Sequence, residues 1–112
     1  MDEIKEISIN DKSYPKLLKE IKDSPEVLYI RGELNPDEQC FAVVGTRMAS
    51  SYGKQIALEI AGDLAEAGLT IVSGLAPGID TFAHLATLER GKRTIAVWEL
   101  ALMKKVFILS QI

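Results

Sequence analysis

Short apolar runs alternate with longer stretches whose apolar positions recur every three or four residues, and this alternation fills the chain from residue 40 to residue 97. The short runs predict buried strands and the longer spacing predicts helices. Residues 40–44 (Cys-Phe-Ala-Val-Val) form the first run, apolar and partly β-branched. It ends in Gly45, Thr46 and Arg47, with Ser50 and Ser51 just beyond. A helix is predicted over residues 51–67. There Ile56, Ile60 and Leu64 repeat every four residues, and Ala57, Ala61 and Ala65 lie beside them as small residues that permit close approach to a sheet. Gly68 stands where a helix-ending glycine belongs. Residues 69–72 predict a second strand, nearly all apolar, as in a parallel sheet covered on both faces. A second glycine-bearing loop, from Ser73 to Gly78, leads into a helix over residues 80–89, with Phe82, Leu85, Ala86 and Leu88 available for burial. The basic turn Arg90-Gly91-Lys92-Arg93 then precedes a third strand over residues 94–97.

The order β-α-β-α-β implies a doubly wound, parallel α/β sheet with right-handed crossovers. In that fold the loops after the strands open on one edge, and ligands bind there. A short helix and a strand precede this core. Residues 1–13 are polar with scattered Ile and read as an irregular lead-in. Tyr14-Pro15 opens the short helix, with Ser13 as N-cap and Pro15 in the first turn. Leu17, Leu18 and Ile21 form its apolar face, and Asp23-Ser24-Pro25 ends it, because Ser24 precedes a proline. Residues 27–30 predict a strand closed by Arg31-Gly32, and Asn35-Pro36-Asp37 is turn chemistry.

With 112 residues the chain supports one modest domain, and its 47% hydrophobic and 26% charged residues give an ordinary globular balance. The net charge of −3 argues against a bulk electrostatic grip on nucleic acid, though not against a local basic pocket. The single cysteine, Cys40, excludes an internal disulfide; it reads as a small apolar residue at a strand start and fits a reducing cytoplasm. The charged N-terminus is not a secretory signal, and no segment approaches the roughly 20 apolar residues that span a bilayer.

Two loops therefore share the candidate edge: residues 45–50 and residues 73–80. Each carries glycines that let backbone N–H groups approach an anion, and each leads into a helix N-terminus. Arg47 is suited to clamp a phosphate, with hydroxyls from Thr46, Ser50 and Ser73 beside it. The plainer reading is that Gly45, Gly74 and Gly78 only permit tight turns and that Ser50 or Ser51 only caps a helix. No GxGxxG follows the first strand and no GxxxxGK[ST] is present, so neither a standard dinucleotide fingerprint nor a P-loop is supported. Asp80 and His84 lie four apart and share a helix face, placed to hydrogen-bond and orient each other. No second His or nearby Cys completes a metal site, and no nucleophile elbow is found, so no catalytic residue and no cofactor is assigned.

Taken together, these residues resemble the DNA processing protein A family, also called DprA or Smf. The resemblance begins at Tyr14-Pro15 with Leu18, Ile21 and Asp23-Ser24-Pro25, and runs through Leu28-Tyr29 and Gly32. It is strongest at Ala42-Val-Val-Gly-Thr-Arg47 with Ser50 and Tyr52-Gly53, and at Ile71-Val-Ser-Gly-Leu-Ala76, Gly78-Ile-Asp80 and Ala83-His84; it ends at Thr94-Ile-Ala-Val97. The resemblance implies a Rossmann-like domain over residues 14–97 that binds single-stranded DNA, protects it during natural transformation and helps load the RecA recombinase. It also implies a homodimer, formed through later parts of the family's domain, and no enzymatic activity. By position, Gly45, Thr46, Arg47 and Ser50 would belong to the DNA-phosphate pocket. Ser73, Gly74, Gly78 and Asp80 would form its second wall, and His84 would support that wall from within the helix. Pro77 stands where the family is variable and often basic, which removes one phosphate contact. The loops hold no aromatic residue, which leaves little base stacking.

Residues 98–112 depart from the family, which has there a third glycine loop of the form GTG-x-D, then YP and Asn. One permitted codon set for Trp98–Ile112, read from its third base, encodes GTGIDEKSIYPIPN, the family's segment. The glycine arising at Trp98-Glu99 and the glutamate at Met103-Lys104 are forced by the genetic code. This fit predicts a single-base deletion after Val97, an out-of-frame tail, and an incomplete sheet of three or four strands with an exposed apolar edge, hence a marginal or aggregation-prone product. The alternative is a real C-terminal cap, with residues 100–103 helical and residues 106–109 a strand. Two other functions compete with DNA binding. A phosphoribohydrolase-like enzyme would carry a PGGxGTxxE stretch, which this chain lacks; an inert product is the other.

Overall fold

The computed structural model describes residues 3–100, 102 and 105–110. In chain order the elements are β1 (Ile4–Ser8), α1 (Lys16–Lys19), β2 (Val27–Arg31), β3 (Cys40–Ala42), α2 (Ser51–Glu66), β4 (Thr70–Ser73), α3 (Ile79–Glu89), β5 (Thr94–Leu100) and β6 (Lys105–Leu109). The fold is mixed α/β. Two compact units are formed: one is Gln39–Ala96, and the other combines the chain before Gln39 with the chain from Val97 onward.

The Gln39–Ala96 unit is the alternating core that the apolar pattern predicts. β3 pairs parallel with β4 through Cys40↔Thr70, Phe41↔Ile71 and Ala42↔Val72. β4 pairs parallel with the start of β5 through Ile71↔Thr94, Val72↔Ile95 and Ser73↔Ala96. A helix links each pair, as parallel strands require. The core cluster joins Ala61 and Ala65 of α2, Ile71 of β4, and Ala83 and Ala86 of α3, with Val43, Leu58 and Leu64 packed against it. Here the alanine stripe, not the isoleucine stripe beside it, is the seam. Two helices that meet through alanines approach closely, and the larger side chains are turned out: Ile60 is 47% exposed, and Leu85 and Leu88 are each 45% exposed.

α2 ends at a Schellman turn, since the Gly68 N–H bonds the Ala65 carbonyl at 3.0 Å and the Leu69 N–H bonds the Leu64 carbonyl at 3.1 Å. Gly68 takes φ +99°, as that turn demands. Leu69 is spent on this turn, which is why β4 starts one residue later than the apolar run suggests. β3 is shorter than residues 40–44, although the Val43 N–H still reaches the Val72 carbonyl at 2.9 Å. Cys40 is exposed rather than buried, because β4 lies on only one side of β3.

The other unit departs further from expectation. Residues 4–8 are not irregular: they form β1, antiparallel to β2, from Ile4↔Arg31 to Ser8↔Val27. Ile7 alone in this strand is partly buried and the other four residues are exposed, so the backbone ladder, not an apolar alternation, defines it. The helix expected to run to Asp23 is one turn, Lys16–Lys19. Pro15 occupies its N-cap position, and Ser13 does not cap it; the Ser13 hydroxyl donates instead to the Asp11 carboxylate at 2.8 Å. Leu17 and Ile21 are 79% and 52% exposed, so no buried face extends the helix. The Ser24 hydroxyl sits 2.8 Å from both the Leu18 and Ile21 carbonyls and takes up acceptors at its end.

Tyr14, Leu28, Ile30 and Ile108 are buried in this unit, and the Tyr14 hydroxyl donates to the Pro25 carbonyl at 2.7 Å. Burial raises the Tyr14 phenol above its ordinary value. β2 pairs parallel with β6 from Leu28↔Val106 to Arg31↔Leu109, and β6 neighbours β5. Phe107 stacks on Tyr29 at 5.2 Å between ring centroids and meets Trp98 at 5.7 Å. The tail thus contributes a strand where residues 106–109 were read as one under the cap alternative. With β1 and β6 the described strands number six rather than three or four. Of the helix considered over residues 100–103, Leu100 ends β5, and residues 101 and 103 lie outside the described residues.

Candidate functional site

Because β3 and β4 run parallel, the segments that follow them leave from the same edge. Each enters a helix. Ser50 is the N-cap of α2, in extended conformation, and its Oγ accepts the Gly53 N–H at 3.0 Å. The Thr46 Oγ1 accepts the Met48 N–H at 3.1 Å and closes the turn that carries Arg47. Both hydroxyls act as acceptors in these bonds, so each keeps a proton to donate to an anion. Arg47 is exposed and makes no hydrogen bond or ion pair among the described residues.

The two loops are pinned to each other. The Ile79 N–H, first in α3, donates to the Thr46 carbonyl at 3.1 Å. Gly78 takes φ +85°, and a Cβ there would lie 2.2 Å from the Thr46 carbonyl oxygen and 2.7 Å from that of Arg47. Only glycine allows this approach. Gly45 is crowded from the other side: its Cβ would stand 2.8 Å from Cγ1 of Ile79. Gly45, Thr46, Arg47, Ser50 and Gly78 are therefore brought to one place, with the N-terminal turns of α2 and α3.

Three of the expected residues are engaged or buried within the fold. Ser73 is 3% exposed and its hydroxyl donates to the Val43 carbonyl, tying the end of β4 to the end of β3. The Gly74 carbonyl accepts a hydrogen bond from Nε2 of His84 at 2.7 Å. Asp80 is 7% exposed in the first turn of α3, and its Oδ1 has no partner among the described residues. A carboxylate repels phosphate, so Asp80 suits the positive end of the helix better than an anion ligand's place.

His84 is 6% exposed and bridges three elements: from α3 it reaches Gly74 after β4, and its Nδ1 lies 2.7 Å from Oγ1 of Thr94 on β5. Thr94 in turn bonds the Ile71 carbonyl at 2.9 Å. The expected His84–Asp80 hydrogen bond is not formed, because both ring nitrogens are taken up by these neighbours. Lys54 escaped the sequence reasoning. It lies in the first turn of α2, with its ammonium 5.1 Å from the centre of the Phe82 ring of α3. Its position four residues after the Ser50 cap was the available signal. No cluster of three or more metal-ligating side chains occurs among the described residues, and no helix among them is long and apolar enough to cross a membrane.

The family described as DNA recombination-mediator protein A matches residues 5–105. The chain is 40% identical over 96 residues to DNA processing protein DprA of Bacillus subtilis, covering 84% of this chain and 32% of that protein. It is 46% identical over 91 residues to DNA processing protein DprA of Streptococcus pneumoniae, covering 80% and 32%. It therefore spans about a third of the length of these curated relatives. The solved structure of DNA processing protein A from Streptococcus pneumoniae matches with a TM-score of 0.76 at 33% identity, over 97% of this chain and 44% of that one. A structure of DNA processing protein A from Helicobacter pylori, described for its single-stranded DNA binding mode, shares the fold with a TM-score of 0.63 at 22% identity, over 99% and 58%. With a family match across most of its length and the strand-edge loops in place, the chain belongs to the DNA recombination-mediator protein A (DprA/Smf) family.

Proposed function

We propose that this chain binds single-stranded DNA by its phosphates, at the edge formed by the loop after β3 and the start of α3. The observation that carries this is the uncommitted guanidinium of Arg47 beside two helix N-termini that the Thr46–Ile79 hydrogen bond holds together. Backbone N–H groups at helix starts and an exposed Arg are the elements of a phosphate site. The Helicobacter pylori relative, described as binding single-stranded DNA, supports the same ligand. Thr46, Ser50 and Gly45 complete the first wall, and Gly78 with the α3 terminus completes the second, with Ser73, Gly74, Asp80 and His84 shaping it from within. The role is one of holding a strand in the cytoplasm, not of transforming it. By the family resemblance, the strand passes to a RecA recombinase and the protein acts as a homodimer.

Fluorescence anisotropy with labelled oligo-dT across a salt series tests this, for the wild type and Arg47→Ala. Wild-type binding should weaken with salt. Arg47→Ala should bind more weakly, with a log–log slope flatter by about 0.7 for each phosphate charge it no longer neutralises. Equal affinity in Arg47→Ala, or tight mononucleotide binding with turnover, would overturn the proposal. The out-of-frame reading of residues 98–112 has its own test: the gene sequence through codon 98 either encodes GTGID in the neighbouring frame or leaves β6 as an authentic strand.

A further inference from the structure

We infer that Tyr52, flanked by Met48 and Val44, is a platform on which nucleobases stack while their phosphates sit at Arg47; this rests on the DNA-binding proposal. Within the Gln39–Ala96 unit the three most exposed large apolar side chains are Met48 at 89%, Tyr52 at 75% and Val44 at 72%. Val44 and Met48 lie in the loop after β3 and Tyr52 in the first turn of α2, so all three fall in the one segment that carries Arg47 and the Ser50 cap. None is needed by the fold. At 3.6 residues per turn Tyr52 stands about 140° around α2 from the buried Ala57 and about 180° from the buried Ala61. Its hydroxyl has no partner among the described residues. The other exposed large apolar residues of the unit, Phe41 on β3, Leu75 in the loop after β4, and Ile60, Leu85 and Leu88 on the helices, are each only about half exposed.

An exposed Tyr with apolar flanks beside a free guanidinium matches what single-strand binders present: a cation for the backbone and an aromatic face for the base. Every base offers a π-face, so such a platform is indifferent to sequence. The two loops themselves hold no aromatic residue, and the first turn of α2 supplies one at their border.

The test compares oligo-dT with an abasic deoxyribose-phosphate strand of equal length, by anisotropy, for the wild type, Tyr52→Ala and Tyr52→Phe. Tyr52→Ala should weaken oligo-dT binding about fivefold to a hundredfold. Its salt slope should stay that of the wild type, its affinity for the abasic strand should be unchanged, and Tyr52→Phe should retain binding. Equal losses on both strands, or no loss on oligo-dT, would overturn the stacking role and leave the Arg47 phosphate site standing. Absence of wild-type binding to either strand would overturn both. Wild-type binding to phosphatidylglycerol vesicles that is lost in Tyr52→Ala, with oligo-dT affinity unaffected, would assign the patch to a membrane surface instead.

Discussion

Gly78→Ala strikes the closest approach in the site, and two other glycines calibrate its cost. At Gly78 both penalties operate. The backbone sits at φ +85° and ψ −133°, and the added Cβ would meet the Thr46 carbonyl oxygen at 2.2 Å. The unusual conformation costs about 1–3 kcal/mol for a residue with a side chain. Parting the loops also surrenders the Ile79–Thr46 hydrogen bond, about 1 kcal/mol more. The sum of about 2–4 kcal/mol is a large share of a typical domain stability of about 5–15 kcal/mol. Gly68 isolates the first penalty: its φ is +99°, but nothing lies within 4 Å of an added Cβ, so Gly68→Ala should cost only about 1–2 kcal/mol. Gly45 isolates the second: its Cβ would stand 2.9 Å from the Ile79 Cβ, an overpacking cost of about 1–3 kcal/mol. Urea unfolding followed by far-UV circular dichroism should give Gly78→Ala the lowest midpoint of the three, together with loss of oligo-dT binding. If Gly78→Ala unfolds no earlier than Gly68→Ala, the two loops do not meet at Gly78.

His84→Ala strands the Gly74 carbonyl and leaves the Thr94 hydroxyl only its bond to the Ile71 carbonyl; it should lower stability by about 1–3 kcal/mol in the same unfolding assay, whereas a surface histidine would cost next to nothing. Ser50→Ala removes the α2 cap and should cost about 1 kcal/mol, with Ser50→Gly costing only a few tenths. In the other unit, the Ser13 backbone N–H and then its hydroxyl hold the Asp11 carboxyl below its ordinary 3.8. A depressed folded value means that the stabilisation is present above the unfolded pKa and is lost as pH falls through the folded one. Ser13→Ala deletes the hydroxyl bond and should move the Asp11 midpoint upward in a carboxyl NMR titration; an unmoved midpoint would show that the backbone N–H acts alone.

What could be read from the residues was the part written in apolar spacing and glycine placement. The three parallel strands, the two long helices, the Gly68 turn and the convergence of Gly45, Arg47, Ser50 and Gly78 all follow from local pattern. What could not be read depended on pairing partners distant in the chain. β1 carries Lys5 and Glu6 on an exposed ladder, so no apolar alternation announces it. On α2 the alanines expected to permit close approach are buried against the alanines of α3, whereas Ile60, placed on the same apolar face, is turned out. His84 looked toward Asp80 on the helix wheel, yet its partners are a carbonyl and a hydroxyl from two other elements. Ser73, expected in the second wall of the pocket, also ties β4 to the end of β3 through its hydroxyl, a bond between strands that no local pattern announces.

The single hydrogen bond from Ile79 to Thr46 also bears on how the edge opens. Neither loop can swing out alone without leaving Gly78 in a conformation that only its neighbour's backbone makes sense of. The two loops should therefore exchange their amide hydrogens as one cooperative unit, at rates set by a shared opening rather than by each loop's own exposure. A strand of DNA laid across either loop would then slow exchange in both, including at amides it does not touch.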